Sequence, residues 1–412
     1  MQQDILDSIE TPSPNKISFI EFIALMAMMM SLTALAIDAM LPALSIIGLD
    51  LGVTNSNDNQ LTISALFIGL GIGQLFYGPI SDSTGRKKPL YVGLIIFILG
   101  SIVSVFATDL NTMLIGRAIQ GLGLASPRTV SLAMIRDQFH GREMAKVMSF
   151  VLMIFIVVPT VAPSVGQLIL WGANWQAIFI FIMLMAVLIL IWFGTRMQET
   201  LHVEDRKTLS FKRIGKSVGE FFSSKVALGY TLTAGLVSSG FIGFLNSAQQ
   251  IFQDQYQLGD KFPLFFAALA MSVGFASFFN SRMVMQYGSD RMVKIAISVL
   301  VAIATLFAIL VPSWGSAMPL WLAMLYFIPT LFCVGILFGN LNSMAMEPLG
   351  HIAGVGSAIV GAVSTLISVA FGTMISQQYD GTLLPVIYGF MLSGGISLVL
   401  IFMVGRVAAA SE

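Results

Sequence analysis

Long apolar segments recur along the whole chain and are separated by short polar connections. A membrane-spanning helix needs about 20 predominantly apolar residues, and twelve segments of the chain meet this requirement. We place these segments at 17–47, 60–80, 88–107, 110–134, 145–170, 174–195, 225–252, 263–285, 292–312, 317–344, 352–377 and 383–404. The pattern predicts an all-α integral membrane protein with twelve transmembrane helices.

The longest polar stretch between two apolar segments divides the twelve into two groups of six. It covers residues 196–224, and its pattern predicts a linker with a short amphipathic surface helix. We therefore expect an N-terminal six-helix bundle over 1–195, a cytoplasmic linker over 196–224 and a C-terminal six-helix bundle over 225–412. Two such repeats around a central cavity are typical of secondary transporters, although channel subunits and membrane enzymes also have many spans.

The composition agrees with a membrane protein. Hydrophobic residues make up 56% of the chain and charged residues only 10%, whereas a soluble domain carries about 25% charged residues. The formal net charge is zero, so nothing in the overall charge indicates a nucleic-acid partner.

The distribution of Lys and Arg predicts the orientation in the membrane. If both termini are cytoplasmic, all but three of the 21 basic residues fall in cytoplasmic loops and tails; the exceptions are Lys261, on the outside, and Arg117 and Arg128, inside the fourth segment. Such an asymmetry is a strong positive-inside signal. It also supports an even number of spans, because an odd number would place half of these loops on the wrong side.

Cysteine and histidine offer no basis for a metal or redox site. The chain has one cysteine, Cys333, and three histidines scattered over polar connections, so we expect no disulfide, metal or cofactor. The first residues are acidic and polar, unlike the basic start of a cleaved signal peptide. We therefore expect the first apolar segment to remain in the mature protein.

The connection between the second and third segments carries a specific motif. It reads GQLFYGPISDSTGRKKPL (73–90), with Gly78, Asp82, Gly85, Arg86 and Lys87 on the pattern G-x-x-x-D-x-x-G-R-K. The motif is either a tight basic turn that only fixes topology, or a latch in which Asp82, near a helix end, pairs with an arginine to close the cytoplasmic gate.

This loop resembles the signature loop of the major facilitator superfamily, and other segments extend the resemblance over nearly the whole chain. LIGRAIQGLGLASP (114–127) is similar to the L-x-x-x-R-x-x-Q-G motif of that family, and VPTVAPSVGQ (158–167) is similar to its antiporter motif, through Pro159, Pro163 and Gly166. GQLFYGPISD, MIRDQF, NSRMVMQYG and LPALSIIGLDLGV resemble the bicyclomycin/chloramphenicol-resistance branch of drug:proton antiporters. The second half has a weaker copy of the signature loop at Asn280, Arg282, Gly288 and Arg291.

The chain departs from the family pattern at two positions. Ser83 stands where the family usually has a basic residue after the Asp, and Gln167 replaces the second glycine of the antiporter motif. The resemblance implies the major facilitator fold and an exporter.

Three ionisable residues lie deep in the predicted membrane segments: Asp38, Arg117 and Arg128. At about 1.5 Å per residue, Asp38 is roughly 14 Å and Arg117 roughly 9 Å below the same membrane surface. We expect the two to interact, directly or through water, either as a static ion pair or as a site that exchanges protons. The resemblance implies proton exchange at Asp38 and a required function for Arg117.

Arg128 follows Arg117 by eleven residues, which leaves the two only ~20° apart on a helix and roughly 16 Å apart in depth. It either holds an anionic group of the substrate or pairs with an acid at the inner gate. The candidate cavity residues are Asp38, Arg117, Gln120, Arg128, Asn246, Gln249, Gln250, Asn340 and Asn342. For the amides, hydrogen bonding between helices is the alternative.

These observations predict a proton-coupled exporter of small amphipathic drugs in the bacterial inner membrane, driven by the proton gradient and without a cofactor. Its partners would be the small-molecule substrate, protons and the lipid bilayer, and we expect a monomer. A dedicated exporter of one metabolite, siderophore or amino-acid derivative is the alternative, motivated by Arg128. A membrane enzyme or receptor is a third alternative, but the sequence shows no cluster of a nucleophile, a base or metal ligands.

Overall fold

The computed structural model describes residues 17–314 and 318–409; Lys16 and the rest of the N-terminal tail lie outside this range. All regular structure in the described part is helical. Twelve long helices, α1 to α12, follow one another along the chain: Phe19–Asp38, Leu61–Thr84, Lys87–Val105, Leu110–Gln138, Gly141–Gly172, Gln176–Arg196, Lys225–Gln249, Phe262–Tyr287, Ser289–Leu310, Leu320–Met346, Ala353–Ser376 and Leu384–Ala409. The predicted all-α architecture is confirmed.

Two of the predicted spans are interrupted near one end. α1 ends at Asp38 and is followed by a 3₁₀ turn, Leu41–Ala43, and then by a short helix, Leu44–Asp50. Pro42 starts the new turn, because a proline has no N–H to continue the preceding helix. α7 passes at its end into a π-helical segment, Gln250–Gln255. Both interruptions replace the hydrogen-bond pattern of a regular α-helix with another one.

Hydropathy alone identifies most of these helices as membrane spans. In the part of the chain that the structure describes, nine stretches are long and apolar enough to cross a membrane, and one of them, Leu320–Ser376, contains both α10 and α11. α4 is not among them, because it carries Arg117, Arg128, Arg136 and Asp137. Two of these charges, Arg117 and Arg128, are the ones that the sequence analysis places within the fourth segment.

One polar contact at each end of the helix bundle defines the two sides of the molecule. Glu21, near the start of α1, bonds Arg196 at the end of α6, which places both residues at the end of the bundle where the linker leaves the first half. We call this end the linker side and the opposite end the far side. Trp175 donates to Asp50 on the far side, with 2.7 Å between Nε1 and Oδ2.

The first half, α1 to α6, meets the second half, α7 to α12, mainly where α2 packs against α11 and α5 packs against α8. Toward the linker side, a Cβ at Gly78 of α2 would lie 3.3 Å from the Cβ of Ala358 in α11. Toward the far side, the Thr373 hydroxyl donates to Ser64 Oγ at 2.8 Å. α2 and α11 are therefore in contact over much of their length, as small residues permit in membrane helices.

The linker between Arg196 and Lys225 contains a short amphipathic helix, Phe211–Ser223, which we call the linker helix. It packs against α7 and α11. Phe221 is fully buried on its inner face, whereas Lys212 and Lys216 are exposed. The predicted surface helix is present.

Candidate functional site

Asp38 is the last residue of α1 and is only 5% exposed. No hydrogen bond or ion pair to its carboxylate is formed by any residue in the described ranges 17–314 and 318–409. A carboxylate at membrane depth is costly unless it is paired, hydrated or protonated. Since the surrounding described side chains supply no partner, a proton, a water molecule or a ligand has to do so.

Arg117 lies in α4 at the height of Asp38, as the sequence estimate predicts. It is fully buried. Its Nη1 donates to the carbonyl oxygen of Ala36 in α1 at 3.0 Å, and its Nε donates to the carbonyl oxygen of Thr62 at the start of α2 at 3.1 Å. The guanidinium also lies 5.7 Å from the ring centre of Phe179. Arg117 thus joins three helices and the ring of a fourth.

The predicted direct contact between Asp38 and Arg117 is not formed. The guanidinium instead bonds the backbone of α1 two residues before Asp38, because the last turn of a helix leaves carbonyl oxygens without intrahelical partners. Its Nη2 is buried and has no hydrogen-bond partner among the described residues. A water molecule or a ligand group between Nη2 and the Asp38 carboxylate would give each of them a hydrogen-bond partner.

Gln120, which the sequence analysis places in the cavity, supports Arg117 instead. Its Oε1 accepts from Arg117 Nη1 at 2.8 Å, and its Nε2 donates to Ser101 Oγ in α3 at 2.8 Å. The side chain is fully buried. The L-x-x-x-R-x-x-Q-G motif therefore orients the guanidinium through one turn of α4.

Arg128 lies closer to the linker side of α4 than Arg117 and is half-buried. The contacts of the described part of the chain include no hydrogen bond or ion pair for its guanidinium. No inner-gate acid among the described residues pairs with Arg128, and contact with an anionic group of the substrate stays a prediction.

The predicted cavity amide Gln250 lies instead in a hydrogen-bond network that closes the far side. Its side chain bonds Gln60 Nε2 of the first half and donates to Asn57 Oδ1 at 2.9 Å. Asn57 in turn donates to the carbonyl oxygens of Gln377 and Tyr379 at 3.1 Å and 2.9 Å. Burial, followed by the negative charges of Asp254 and Asp380, raises the pKa of the Tyr379 hydroxyl, so this hydroxyl stays neutral.

Asn246 and Gln249 also form hydrogen bonds between the two halves toward the far side. Asn246 Nδ2 donates to Ser64 Oγ at 2.9 Å, and Gln249 bonds Ser45 Oγ and donates to Asp254 at 3.0 Å. Both amides are at most 1% exposed. The structure therefore places these side chains between the halves, where the relative position of two separate bundles decides their partners.

Within the described part of the chain, the two asparagines of α10 form hydrogen bonds inside the second half. Asn340 donates to Asn280 Oδ1 at 2.7 Å and to the carbonyl oxygen of Ile336 at 2.9 Å. Asn342 donates to Phe338 of its own helix. Neither asparagine bonds any described residue of the first half. Asn340 instead forms a hydrogen bond between two helices of the second half, as in the alternative given for the amides.

On the linker side, the G-x-x-x-D-x-x-G-R-K loop builds a compact charge cluster. Arg86 is 5% exposed; its Nε lies 2.7 Å from Asp137 Oδ2 at the end of α4, and its Nη1 lies 2.5 Å from Asp82 Oδ1. Burial on its own would lower the pKa of Arg86, but the hydrogen bonds to Asp137 and Asp82 outweigh it and raise the pKa above its ordinary value. The guanidinium is therefore permanently charged and ties α2 to α4.

This geometry agrees with the interpretation of the loop as a latch rather than as a turn that only fixes topology. A Cβ at Gly354, in the first turn of α11, would be 2.8 Å from Asp82 Oδ2. A carboxylate at a helix N-terminus is favourable, because the unpaired N–H groups and the helix dipole are positive there. Asp82 thus meets both halves. Asp137 was missed in the sequence analysis, although MIRDQF, which contains it, was noted as a point of resemblance.

The weaker copy of this loop in the second half has the same turn, but within the described ranges its two arginines, Arg282 and Arg291, form no ion pair. Gly288 has φ 76°, close to the 92° of Gly85, and both precede a helix. The guanidiniums of Arg282 and Arg291 instead lie over the rings of Phe278 and Tyr287, at 4.4 Å and 5.5 Å from the ring centres. Of the two loops as the structure describes them, it is the first-half loop that carries an arginine paired with two carboxylates.

The antiporter motif lies in α5, which runs from Gly141 to Gly172 through both Pro159 and Pro163. Gly166 faces the residue that follows Asp38. The next residue, Gln167, donates to Asp260 Oδ1 on the second half at 2.9 Å. This segment therefore touches both the candidate proton site and the far-side contact between the halves.

Among the described residues, no group of three or more His, Cys, Asp and Glu side chains is arranged to hold a metal ion. The single cysteine, Cys333, is buried in α10.

Comparison with known proteins identifies the family. The family model described as Major Facilitator Superfamily matches residues 18–373. An uncharacterized MFS-type transporter, YdgK, from Bacillus subtilis is 31% identical over 346 residues, which cover 83% of this chain and 85% of that protein. A bicyclomycin resistance protein homolog from Haemophilus influenzae is 28% identical, with 89% and 92% of the two chains covered. A chloramphenicol resistance protein from Pseudomonas aeruginosa is also 28% identical, over 84% of this chain and 81% of that protein.

Solved structures show the same fold at low identity. The Escherichia coli xylose transporter XylE, in a partially occluded inward open conformation, superposes with a TM-score of 0.72 at 13% identity, over 93% of this chain and 97% of that one. These neighbours are transporters, and the apolar helices fit a multi-pass membrane protein. The chain therefore belongs to the Major Facilitator Superfamily and is a membrane transporter.

Proposed function

We propose that this transporter is a proton-coupled exporter of small amphipathic compounds in a bacterial inner membrane, with the linker side in the cytoplasm. The clustering of basic residues on the linker side supports this orientation. Relatives named for resistance to bicyclomycin and chloramphenicol support efflux of such compounds.

The observation that carries the proposal is the buried carboxylate of Asp38. It has no partner among the described side chains, and the unfilled Nη2 of Arg117 lies on the neighbouring helix. A carboxylate without a fixed counter-charge can exchange a proton without breaking an ion pair. Arg117, held by Ala36 and Thr62, then adds a fixed positive charge that favours release of the proton when water enters.

In the proposed cycle, the halves rock about this site. The far side is closed by bonds such as Gln60–Gln250 and Ser45–Gln249, so substrate enters from the linker side while Asp38 loses its proton to the cytoplasm. The Asp82–Arg86–Asp137 cluster controls the linker-side gate, and the amide network controls the far-side gate. Protonation of Asp38 from outside expels the substrate and permits return.

The proposal is tested with purified protein in liposomes that hold a pH gradient and a pH-sensitive dye. Addition of chloramphenicol or bicyclomycin should dissipate the gradient only in liposomes that contain the protein. Substrate movement without any proton movement would contradict the coupling. Absence of both, across a panel of neutral, cationic and anionic amphipathic compounds, would contradict the export function.

A second candidate is a dedicated exporter of one anionic metabolite, and Arg128 favours it. This guanidinium is half-buried within α4 and has no partner in the described part of the chain, so it can receive a carboxylate or phosphate. Arg128→Gln should then abolish transport of anionic compounds and spare neutral ones. Arg136→Gln, which changes an exposed arginine of the same helix, is the control.

A further inference from the structure

The linker between the two halves is attached to each of them by a different part. Residues 197–207, which we call the strap, bond to the first half on the linker side. Lys87 Nζ donates to the carbonyl oxygen of Met197 at 2.6 Å, and Lys207 N–H donates to the carbonyl oxygen of Asp82 at 2.9 Å. These bonds fix both ends of the strap against the turn between α2 and α3.

Between these ends, Thr200 Oγ1 donates to Asp137 Oδ2 at 3.0 Å. The strap therefore also bonds the acid that holds Arg86, and with the bond to Asp82 it contacts two members of the linker-side charge cluster.

Glu199 is the central anchor of the strap. Its Oε1 accepts from the backbone N–H of Arg86 at 2.7 Å, and its Oε2 accepts from the backbone N–H of Lys87 at 3.1 Å. These two N–H groups open α3, so Glu199 caps that helix from a segment more than a hundred residues away. A carboxylate at this position also interacts favourably with the helix dipole.

The turn is shaped to admit this carboxylate. Gly85 has φ 92°, and a Cβ there would lie 2.6 Å from Glu199 Oε2. The same carboxylate also accepts from the N–H groups of Thr200 and Leu201 at 3.1 Å and 3.2 Å. Glu199 thus folds the strap and attaches it with one side chain.

The linker helix belongs to the second half. It packs against α7 and α11, and Glu220 Oε2 lies 3.2 Å from His351 Nε2 at the connection before α11. Phe221 is buried in this contact surface. When the halves move relative to each other, the strap moves with one of them and the linker helix with the other.

Only two residues, Thr208 and Leu209, connect these attached parts. Before them stands Lys207, bonded to Asp82, and after them stands Ser210, whose carbonyl oxygen accepts from Ile214 N–H at 3.0 Å in the first turn of the linker helix. The three Cα–Cα steps from residue 207 to residue 210 reach at most about 11 Å. A free linker over 196–224 would reach about 100 Å when extended and would restrain nothing.

We propose that Glu199 is a positioning residue of the transport cycle: by anchoring the strap, it shortens the effective tether to Thr208–Leu209 and so limits how far the two halves separate on the linker side. The inference rests on the proposed rocking of the halves. It assigns the linker a mechanical function that its length in the sequence does not suggest.

The test measures distances between two spin labels on the linker side, in liposomes, with the full chain. One label is placed at Lys88→Cys in α3 and the other at Met285→Cys in α8, both exposed positions, in a Cys333→Ser background. Glu199→Ala should extend the upper end of the distance distribution by at least about 5 Å relative to the unaltered linker. Glu204→Ala, which changes an exposed glutamate of the same strap, should leave the distribution unchanged.

A second variant keeps every strap contact. Insertion of six Gly and Ser residues between Thr208 and Leu209, both exposed, lengthens the connector alone and should reproduce the longer distances. It decides the question if Glu199→Ala fails to fold.

Distance distributions that do not lengthen in either variant would overturn the proposal. Proton-coupled transport by the unaltered protein, measured separately, distinguishes this outcome from a failure of the proposed function.

Discussion

Gly166 of α5 lies directly against the backbone of Ala39, the residue that follows Asp38. A Cβ at Gly166 would be 1.8 Å from the carbonyl oxygen of Ala39, a distance that no side chain can occupy. Only glycine allows α5 to approach the end of α1 so closely. The antiporter motif and the candidate proton site are therefore one packed unit, and movement of α5 must be transmitted to the backbone beside Asp38.

Gly166→Ala should separate α5 from the break after α1. Overpacking of this kind typically costs about 1–3 kcal/mol, and we expect transport to fall at least tenfold because the Asp38 environment opens. Thermal unfolding in detergent and transport in liposomes measure the two effects. Gly172→Ala is the matched control, since a Cβ at Gly172 of the same helix meets nothing within 4 Å; equal behaviour of the two variants would contradict the close packing.

Arg117→Lys should lose function although the charge is kept. A lysine has no planar fork with which to reach the carbonyl oxygens of Ala36 and Thr62 and the amide of Gln120 together. We expect a loss on the order of 3 kcal/mol in stability, because a buried charge is left with incomplete partners. Arg136→Lys changes an exposed arginine of the same helix and should leave both transport and stability unchanged. A fully active Arg117→Lys would show that the guanidinium geometry is not required.

Gln250→Ala should weaken the far-side closure. The side chain bonds Gln60 and Asn57 across the halves, and each such bond contributes about 1 kcal/mol, so the far-side-open population should rise about 30-fold. The readout is the rate at which a membrane-impermeant maleimide, added from the far side, labels Thr373→Cys in a Cys333→Ser background. Gln378→Ala, at an exposed position, should leave the rate unchanged.

Asp137→Asn should loosen the linker-side cluster. The amide keeps a hydrogen-bond acceptor for Arg86 but removes the charge at 2.7 Å. We expect a loss of about 1–3 kcal/mol in unfolding free energy and slower transport, both measured against Asp205→Asn in the exposed part of the strap. Unaltered transport in Asp137→Asn would mean that the cluster fixes topology only.

The sequence is sufficient to predict the helices and the depths at which the buried charges lie. A run of about 20 apolar residues has only one stable form in a bilayer, and a rise of 1.5 Å per residue placed Arg117 level with Asp38. Glycine and charge patterns also located the turn at Gly85 correctly. These features depend on neighbouring residues in the chain.

The sequence is insufficient to predict contacts between elements that are far apart in the chain. The direct Asp38–Arg117 contact is not formed because the guanidinium bonds a carbonyl oxygen near the end of α1, where the break in that helix leaves carbonyl oxygens without intrahelical partners. Gln249 and Gln250 were assigned to a cavity because nothing in the sequence shows how two independent bundles dock. Glu199 was overlooked because its partners, Arg86 and Lys87, are more than a hundred residues away.

The most direct test of proton coupling at Asp38 compares two modes of transport by Asp38→Asn in liposomes. One is substrate uptake driven by an imposed pH gradient; the other is counterflow, the exchange of labelled for unlabelled substrate without a gradient. The asparagine has nearly the same shape as Asp38 but cannot exchange a proton. The account predicts that Asp38→Asn retains counterflow and loses gradient-driven uptake, and gradient-driven uptake at the wild-type rate would contradict it.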